Sequence, residues 1–231
     1  MKKTLMLAML FGIFTNAKSQ VYVQGGASFA NITKTKSGEI QDNNLLTTFN
    51  AGILGRFGLS KPLDLESGIL IEGRGAKSNT YFTDSRDDNY VKSKFNPLYV
   101  VVPLNVVVRI PFQTQNNIFI NAGPYAEMGV AGKSKSEAKV FGVSSSSSDN
   151  IKFSNDNPFT SNQDDAAYNK LKRFGFGVNV GGGLDLGSIL LKVNYEYGLT
   201  KINSTESDNS ANDKNKYRTF SVSIGIPLGR S

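Results

Sequence analysis

Residues 188–200 read SILLKVNYEYGLT and alternate apolar with polar side chains along almost their whole length. The odd-numbered positions carry isoleucine, leucine, valine and tyrosine, while the even-numbered positions carry mostly lysine, asparagine, glutamate and glycine. A period of two residues is typical of a β-strand that has one apolar and one polar face. Segments 173–186 and 217–228 follow the same pattern. These three segments predict an all-β fold.

The same alternation recurs along the chain, so we predict eight strands, at residues 21–30, 47–58, 63–76, 98–111, 118–130, 173–186, 188–200 and 217–228. The links after the even-numbered strands are short, at residues 59–62, 112–117 and 187. The links after the odd-numbered strands are long and polar, at residues 31–46, 77–97, 131–172 and 201–216. Outer-membrane barrels have an even number of strands, short periplasmic turns and longer extracellular loops. The sequence therefore predicts an eight-stranded antiparallel up-and-down transmembrane β-barrel.

The apolar rows indicate which face of the barrel meets water. An eight-stranded barrel has room inside only for side chains or one small ligand. The apolar rows of the last three strands contain five aromatic rings, and the opposite rows are rich in glycine. Because a narrow interior would not hold these rows, we predict that they face lipid. Segment 98–111 is apolar on both faces and gives no orientation. A soluble periplasmic barrel with an apolar ligand is the alternative.

The first nineteen residues predict export. Lys2 and Lys3 precede an apolar stretch over residues 5–14, and Ala17-Lys18-Ser19 forms a small-residue cleavage pattern. The stretch is about half the length of a membrane-spanning helix, which needs about 20 apolar residues. We therefore expect a cleaved signal peptide over residues 1–19 and a barrel domain over residues 20–231. Cleavage lowers the net charge from +7 to +4, and the remaining basic residues are scattered, which argues against nucleic acid as a partner.

Charged side chains on the polar rows form the candidate site. If the apolar rows face lipid, five acids and five bases point inward: Arg56, Glu66, Glu72, Arg74, Arg109, Glu127, Arg173, Asp185, Lys192 and Glu196. A charge in a narrow interior is costly unless it is paired. We predict a ladder of ion pairs and waters that fills the barrel, and the alternative is an ion-conducting pore.

Aromatic residues near the strand ends have two interpretations. They are Phe29, Phe49, Phe57, Phe112, Tyr197 and Tyr217. They fit the interfacial girdles of membrane barrels, and they equally fit the ordinary preference of aromatic residues for strands.

Several kinds of chemistry are missing from the sequence. The chain has no histidine and no cysteine, which removes the most common general base and the usual zinc ligands. The loop acids Asp87-Asp88 and Asp164-Asp165 lack the spacing of a calcium loop. We expect residues 181–183, three glycines, to let the wall bend or a bulky side chain pack across it. The serine run 144–148 predicts a mobile low-complexity loop. We expect no catalytic residue, cofactor or metal.

The strand sequences carry a family resemblance. RFGFGVNVGGGLDL at 173–186, LKVNYEYGL at 191–199, FSVSIGIPL at 220–228 and the junction at 17–20 resemble the small outer-membrane barrels of the OmpA and OmpX type. They resemble the PorT-like barrels of Bacteroidota more closely. Enzymes among such barrels characteristically use a histidine, which this chain lacks. The chain also ends in Leu228-Gly229-Arg230-Ser231 rather than in the terminal phenylalanine of many outer-membrane barrels.

These observations predict a non-enzymatic outer-membrane protein whose long extracellular loops have a structural or surface-binding role. Loop 131–172 is the candidate contact region, because long loops on a rigid scaffold often carry function. The expected partners are outer-membrane lipid, the barrel-assembly machinery, and envelope or secretion proteins. The PorT resemblance implies the alternative of an accessory component of a secretion or gliding apparatus, and a small porin is a further alternative.

Overall fold

The computed structural model describes residues 19–36, 39–41, 45–82, 89–112, 116–155, 170–202 and 215–228. Thirteen β-strands lie within these ranges: β1 Ser19–Lys36, β2 Glu39–Gln41, β3 Leu46–Ser60, β4 Leu63–Gly73, β5 Ala76–Tyr81, β6 Tyr90–Pro111, β7 Asn117–Val140, β8 Val143–Asn150, β9 Lys152–Ser154, β10 Lys170–Lys172, β11 Phe174–Asp185, β12 Leu190–Gly198 and β13 Asn215–Pro227. No helix in the described part of the chain is long and apolar enough to cross a membrane.

Eight of the strands close into a ring. The order around it is β1, β3, β4, β6, β7, β11, β12 and β13, and every neighbouring pair is antiparallel. The ring closes where β13 pairs with β1, from Tyr22 opposite Pro227 to Lys34 opposite Asn215. Chain order and spatial order coincide, which confirms the predicted eight-stranded antiparallel up-and-down barrel.

The apolar rows lie on the outside of the ring, as predicted. Val193, Val180 and Ile224 are 45%, 56% and 53% exposed, while Glu196 and Asn179 on the opposite rows are each 5% exposed. In β6, which gave no orientation signal, the outward residues include Leu104 and Val106. Its inward residues include Tyr99, Val101, Asn105 and Val107, all nearly inaccessible. The interior therefore contains apolar side chains as well as polar ones.

Three of the predicted long loops contain paired strands, so these parts of the loop prediction are wrong. In loop 31–46, β1 runs on to Lys36 and pairs there with β2. β6 begins at Tyr90 rather than at residue 98, and β7 runs on to Val140. β5 and β8 pair with these prolongations. We call residues 76–81, 90–97, 131–140 and 143–150 the extension. The serine run 144–148 lies in β8, where it pairs with residues 135–139 of β7. Polar side chains are compatible with strands here because the backbone ladder supplies the hydrogen bonds.

A small sheet covers the loop-side end of the barrel. β9 and β10 are parallel and join the barrel through backbone hydrogen bonds from Gly129 to Arg173 (2.7 Å) and from Ile151 to Gly132 (3.0 Å). Ile151, Leu171 and Ile202 are buried. We call residues 151–154, 170–173 and 202 the mouth cap. This part of the predicted loop 131–172 is therefore packed structure rather than open loop.

Candidate functional site

The interior of the barrel contains two clusters of charged side chains at different heights. The turn-side cluster lies towards the short links and consists of Tyr22, Arg56, Glu66, Asn105, Asp185 and Lys192. The loop-side cluster lies below the mouth cap and consists of Glu72, Arg74, Glu127 and Glu196. Strand pairing positions both clusters, because it fixes which inward residues share a level.

Glu66 is the centre of the turn-side cluster. Its carboxylate accepts hydrogen bonds from four side chains: Tyr22 Oη (2.7 Å), Arg56 Nε (2.8 Å), Lys192 Nζ (2.5 Å) and Asn105 Nδ2 (3.2 Å). Arg56 Nη1 lies 3.7 Å from Asp185, and its guanidinium lies 4.0 Å from the centre of the Phe119 ring. Two acids and two bases compensate each other, so this cluster is formally neutral.

Arg74 is the centre of the loop-side cluster and is fully buried. It lies in the break between β4 and β5, where its backbone amide donates to Pro97 (2.9 Å). Its Nη2 lies 3.0 Å from Glu72 and also pairs with Glu196, and its Nε lies 2.8 Å from Glu127. Three carboxylates surround this guanidinium, so the four groups together carry a formal charge of −2.

The ion pairs join opposite walls of the barrel. In the eight-strand ring, β4 lies four places from β12, and β3 lies four places from β11. Glu66 on β4 contacts Lys192 on β12, and Arg56 on β3 lies close to Asp185 on β11. Arg74, which follows β4, reaches Glu196 on β12. Charged side chains therefore cross the barrel at both heights.

A layer of amides and hydroxyls connects the inner walls. Asn50 accepts from Gln24 (3.2 Å) and from Ser223 (2.9 Å), and Asn179 donates to Asn105 (2.8 Å). Asn121 donates to Asn179 (3.3 Å). The sequence interpretation concentrated on charges and missed this layer, although the same period of two that places the charges also places these residues inside.

The mouth cap closes the loop-side end with rings and aliphatic side chains. Tyr99 on β6 and Tyr217 on β13 meet across the barrel, with ring centres 5.5 Å apart and hydroxyls 3.3 Å apart. Phe153 packs edge-on against Tyr99, at 5.7 Å between ring centres. Tyr217 is 2% exposed, so it does not belong to an interfacial girdle. Of the girdle candidates, Phe49 and Phe112 are about half exposed on the outer face.

The structure places eight of the ten predicted interior charges in the two clusters and two elsewhere. Arg109 lies near the turn-side rim, where its side chain is 39% exposed and its Nε lies 2.5 Å from Asp64. Arg173 is half-buried in the mouth cap, with Nη2 3.5 Å from the Phe153 carbonyl. The clusters hold five acids and three bases, and Arg109 and Arg173 are the two predicted inward bases that lie outside them. Asp64 and Lys172 are buried charges that the sequence interpretation missed.

The remaining predictions concern the glycine run 181–183, metal-ligating side chains and the loop acids. A side chain at Gly183 would meet the ring of Phe119, so a bulky residue does pack across the glycine run. Among the described residues, no group of three or more metal-ligating side chains is placed to hold an ion. The acid pairs at 87–88 and 164–165, residues 1–18 of the predicted signal peptide 1–19, and most of loop 201–216 lie outside the described residues.

Comparisons with known proteins give one family. Residues 14–204 match the family described as "Outer membrane protein beta-barrel domain". Similar solved structures include Ail, the attachment invasion locus protein of Yersinia pestis, in complex with sucrose octasulfate, with 13% identity, 91% of this chain and 99% of that chain covered, and a TM-score of 0.38. Neisserial surface protein A is 13% identical, with 89% of this chain and 96% of that chain covered and a TM-score of 0.38. OprG from Pseudomonas aeruginosa is 10% identical, with 93% of this chain and 98% of that chain covered and a TM-score of 0.39. No curated protein matches the sequence.

Proposed function

Since the chain belongs to the outer membrane protein beta-barrel domain family, we propose that it is a non-conducting, non-enzymatic barrel that presents a rigid β-extension at the cell surface. Its role is structural or surface-binding, and the extension is the contact region. The lipid-facing rows anchor the protein in the outer membrane. The barrel-assembly machinery and envelope proteins are the partners we propose for its insertion and action.

The ion pairs between opposite walls are the observation that supports the proposal of a non-conducting barrel. A diffusion path needs continuous space along the barrel axis, whereas Glu66–Lys192 and Arg74–Glu196 join side chains from facing strands. The contact between Tyr99 and Tyr217 adds a third crossing nearer the mouth cap. Eight-stranded barrels are narrow enough for their own side chains to fill them.

Conductance in a planar lipid bilayer tests this proposal. The full chain, purified in detergent and folded as judged by a gel-mobility shift on boiling, should give no stable conductance steps in 1 M KCl. The double variant Glu66→Ala/Lys192→Ala removes one crossing pair without changing the net charge, and serves as the partly opened comparison. Regular steps from the wild-type protein would refute the non-conducting barrel and favour a small porin.

The extension supports a role at the surface because of its length. A membrane-spanning strand needs about 9–11 residues, whereas β6 has 22 and β7 has 24. The eight residues 90–97 alone span roughly 26 Å at about 3.3 Å per residue. The turn at Phe141-Gly142, with φ of 50° and 79°, forms the tip between β7 and β8.

An epitope inserted between Phe141 and Gly142 tests the placement of the extension. Antibody should label intact cells that express this variant. An epitope inserted between Lys61 and Pro62, in the exposed turn between β3 and β4, should be labelled only after permeabilisation. The reverse pattern would contradict the orientation. We also propose that cleavage follows Ser19, and the mass of the protein from outer membranes measures this directly.

A further inference from the structure

We call the apolar outward rows of the barrel wall, which include Leu104 and Val106, the apolar belt. We propose that the outer face of the extension, where it meets this belt, binds the phosphorylated headgroup of an outer-leaflet membrane lipid. The lipid's acyl chains would lie on the apolar belt and its phosphates on a row of lysines. This inference goes beyond the proposed surface role, because it concerns a lipid site on the barrel wall. It can fail while the surface role stands.

Three lysines stand side by side on neighbouring strands. Lys77 on β5 lies opposite Lys94 on β6, and Lys94 lies opposite Lys135 on β7. Directly opposite residues of antiparallel strands have Cβ atoms about 4.5–5.5 Å apart, and like charges at such positions are destabilising. Among the described residues, these lysines have no ion pair with an acid. An anion that bridges them would relieve the repulsion.

The lysines share a face with further positive charge. Lys92 and Lys133 lie on that face two residues away along β6 and β7, and Lys139 lies farther towards the tip. Glu137 is the single acid on this face within the described strands β5 to β8. Six lysines against one glutamate give the face a formal charge of +5, which is complementary to phosphate groups.

This face continues the lipid-facing surface of the barrel. Outward residues of β6 are even-numbered, from Leu104 and Val102 up to Lys94. A register shift at Leu98 brings Ala131 opposite it, so Lys133 and Lys135 stay on the same outer face as Leu98. The lysines therefore begin one step above the apolar belt. A soluble anion would require charge alone, whereas this arrangement places charge beside an exposed apolar surface.

Two shallow depressions, of about 510 and 480 Å³, adjoin along the lysine row. The larger has apolar residues Phe49, Leu98 and Ala131 on one side and Lys94, Lys133 and Lys135 on the other. Phe49 is 48% exposed and belongs to β3, so the depression extends from β3 to the residues of β6 and β7 at the base of the extension. Such an amphipathic groove fits a lipid that has both acyl chains and phosphates.

Binding of diphosphoryl lipid A to the full chain in detergent, measured by native mass spectrometry, tests the proposal. Each lysine near an anionic headgroup contributes about fivefold in affinity, equivalent to about 1 kcal/mol. The variant Lys94→Gln/Lys133→Gln/Lys135→Gln should therefore bind roughly 100-fold more weakly. The control Lys61→Gln/Lys152→Gln/Lys201→Gln removes the same charge elsewhere and should stay within about threefold of wild type.

The outcomes separate a lipid from a soluble anion. Phe49→Ala should weaken lipid A binding and leave any binding of inorganic pyrophosphate unchanged. Monophosphoryl lipid A should bind more weakly than the diphosphoryl form. The proposal is overturned if both triple variants lose the same affinity, or if pyrophosphate or dextran sulfate binds as tightly as lipid A with the same lysine dependence. The gel-mobility shift on boiling verifies folding, and the single variant Lys94→Gln replaces a triple variant that does not fold.

Discussion

Replacement of Arg74 by methionine tests the energetics of the barrel interior most directly. Methionine has a similar length and no charge, so the change removes the cation and keeps much of the volume. Glu72, Glu127 and Glu196 would then be buried without their shared partner. The Arg74 guanidinium also lies 5.1 Å from the ring centre of Tyr125, and that contact is lost too.

The expected loss follows from the burial of the cluster. Removing one partner of a buried ion pair costs about 3–5 kcal/mol, because it leaves an uncompensated charge. Arg74 is 0% exposed, and its three acidic neighbours are at most 6% exposed. With a urea dependence of about 2 kcal/mol per molar, the unfolding midpoint should fall by roughly 2 M. Replacing the three glutamates by glutamine in the Arg74→Met background should recover most of this loss, since no buried charge remains.

The assay is urea unfolding of the barrel in detergent micelles, followed by far-UV circular dichroism and by gel mobility. Arg218→Met is the matched control, because Arg218 lies on the outer face with its guanidinium 3.3 Å from the ring centre of Tyr197. Its loss should cost about 0.5–1 kcal/mol. Equal midpoints for Arg74→Met and wild type would show that the interior charges are hydrated and uncoupled, which would refute the account of the loop-side cluster.

Four further changes probe the interior and the mouth cap. Glu66→Gln should destabilise the barrel by about 3–5 kcal/mol, because four donors converge on this carboxylate. Glu127→Gln should cost less than about 1 kcal/mol in the same unfolding assay, because two carboxylates stay with the arginine of the loop-side cluster. Gly177→Val should cost about 1–3 kcal/mol, because its Cβ would meet the ring of Tyr125, and an unchanged urea midpoint would contradict this packing. Leu171→Ala should speed amide exchange in β9 and β10 and leave the gel-mobility shift unchanged, since Leu171 is buried in the mouth cap.

The barrel was predictable because its wall strands have one apolar face. Alternation in residues 188–200 gave the strand type and the outward row, and the unequal links gave the up-and-down order. The extension was not predictable in the same way, because residues 143–150 are exposed on both faces and have no apolar row. One sequence signal for a strand in the extension was available: residues 133–139 read KSKSEAK, in which large charged residues alternate with small ones.

Inward orientation could be predicted, but partner choice could not. The period of two places Glu66 and Lys192 inside, whereas the contact between them depends on the stagger of strands four places apart in the ring. Asp64 was recoverable, because it lies two residues before Glu66 on the same face. Lys172 was not, because it belongs to the mouth cap, whose path follows from long-range packing. The grouping of three acids around the single base Arg74 likewise depends on the three-dimensional fold.

The continuity of β6 and β7 connects the interior of the barrel to its outer surface. Both strands run without a break from the membrane wall into the extension, so the backbone ladder fixes the lysine row relative to the apolar belt. A prearranged surface loses less conformational entropy on binding than a flexible loop does. The ion pairs stabilise this wall from inside and do not contact the lysines of the outer face. Interior variants that still fold should therefore lower stability and leave lipid A affinity unchanged, while lysine variants should do the reverse.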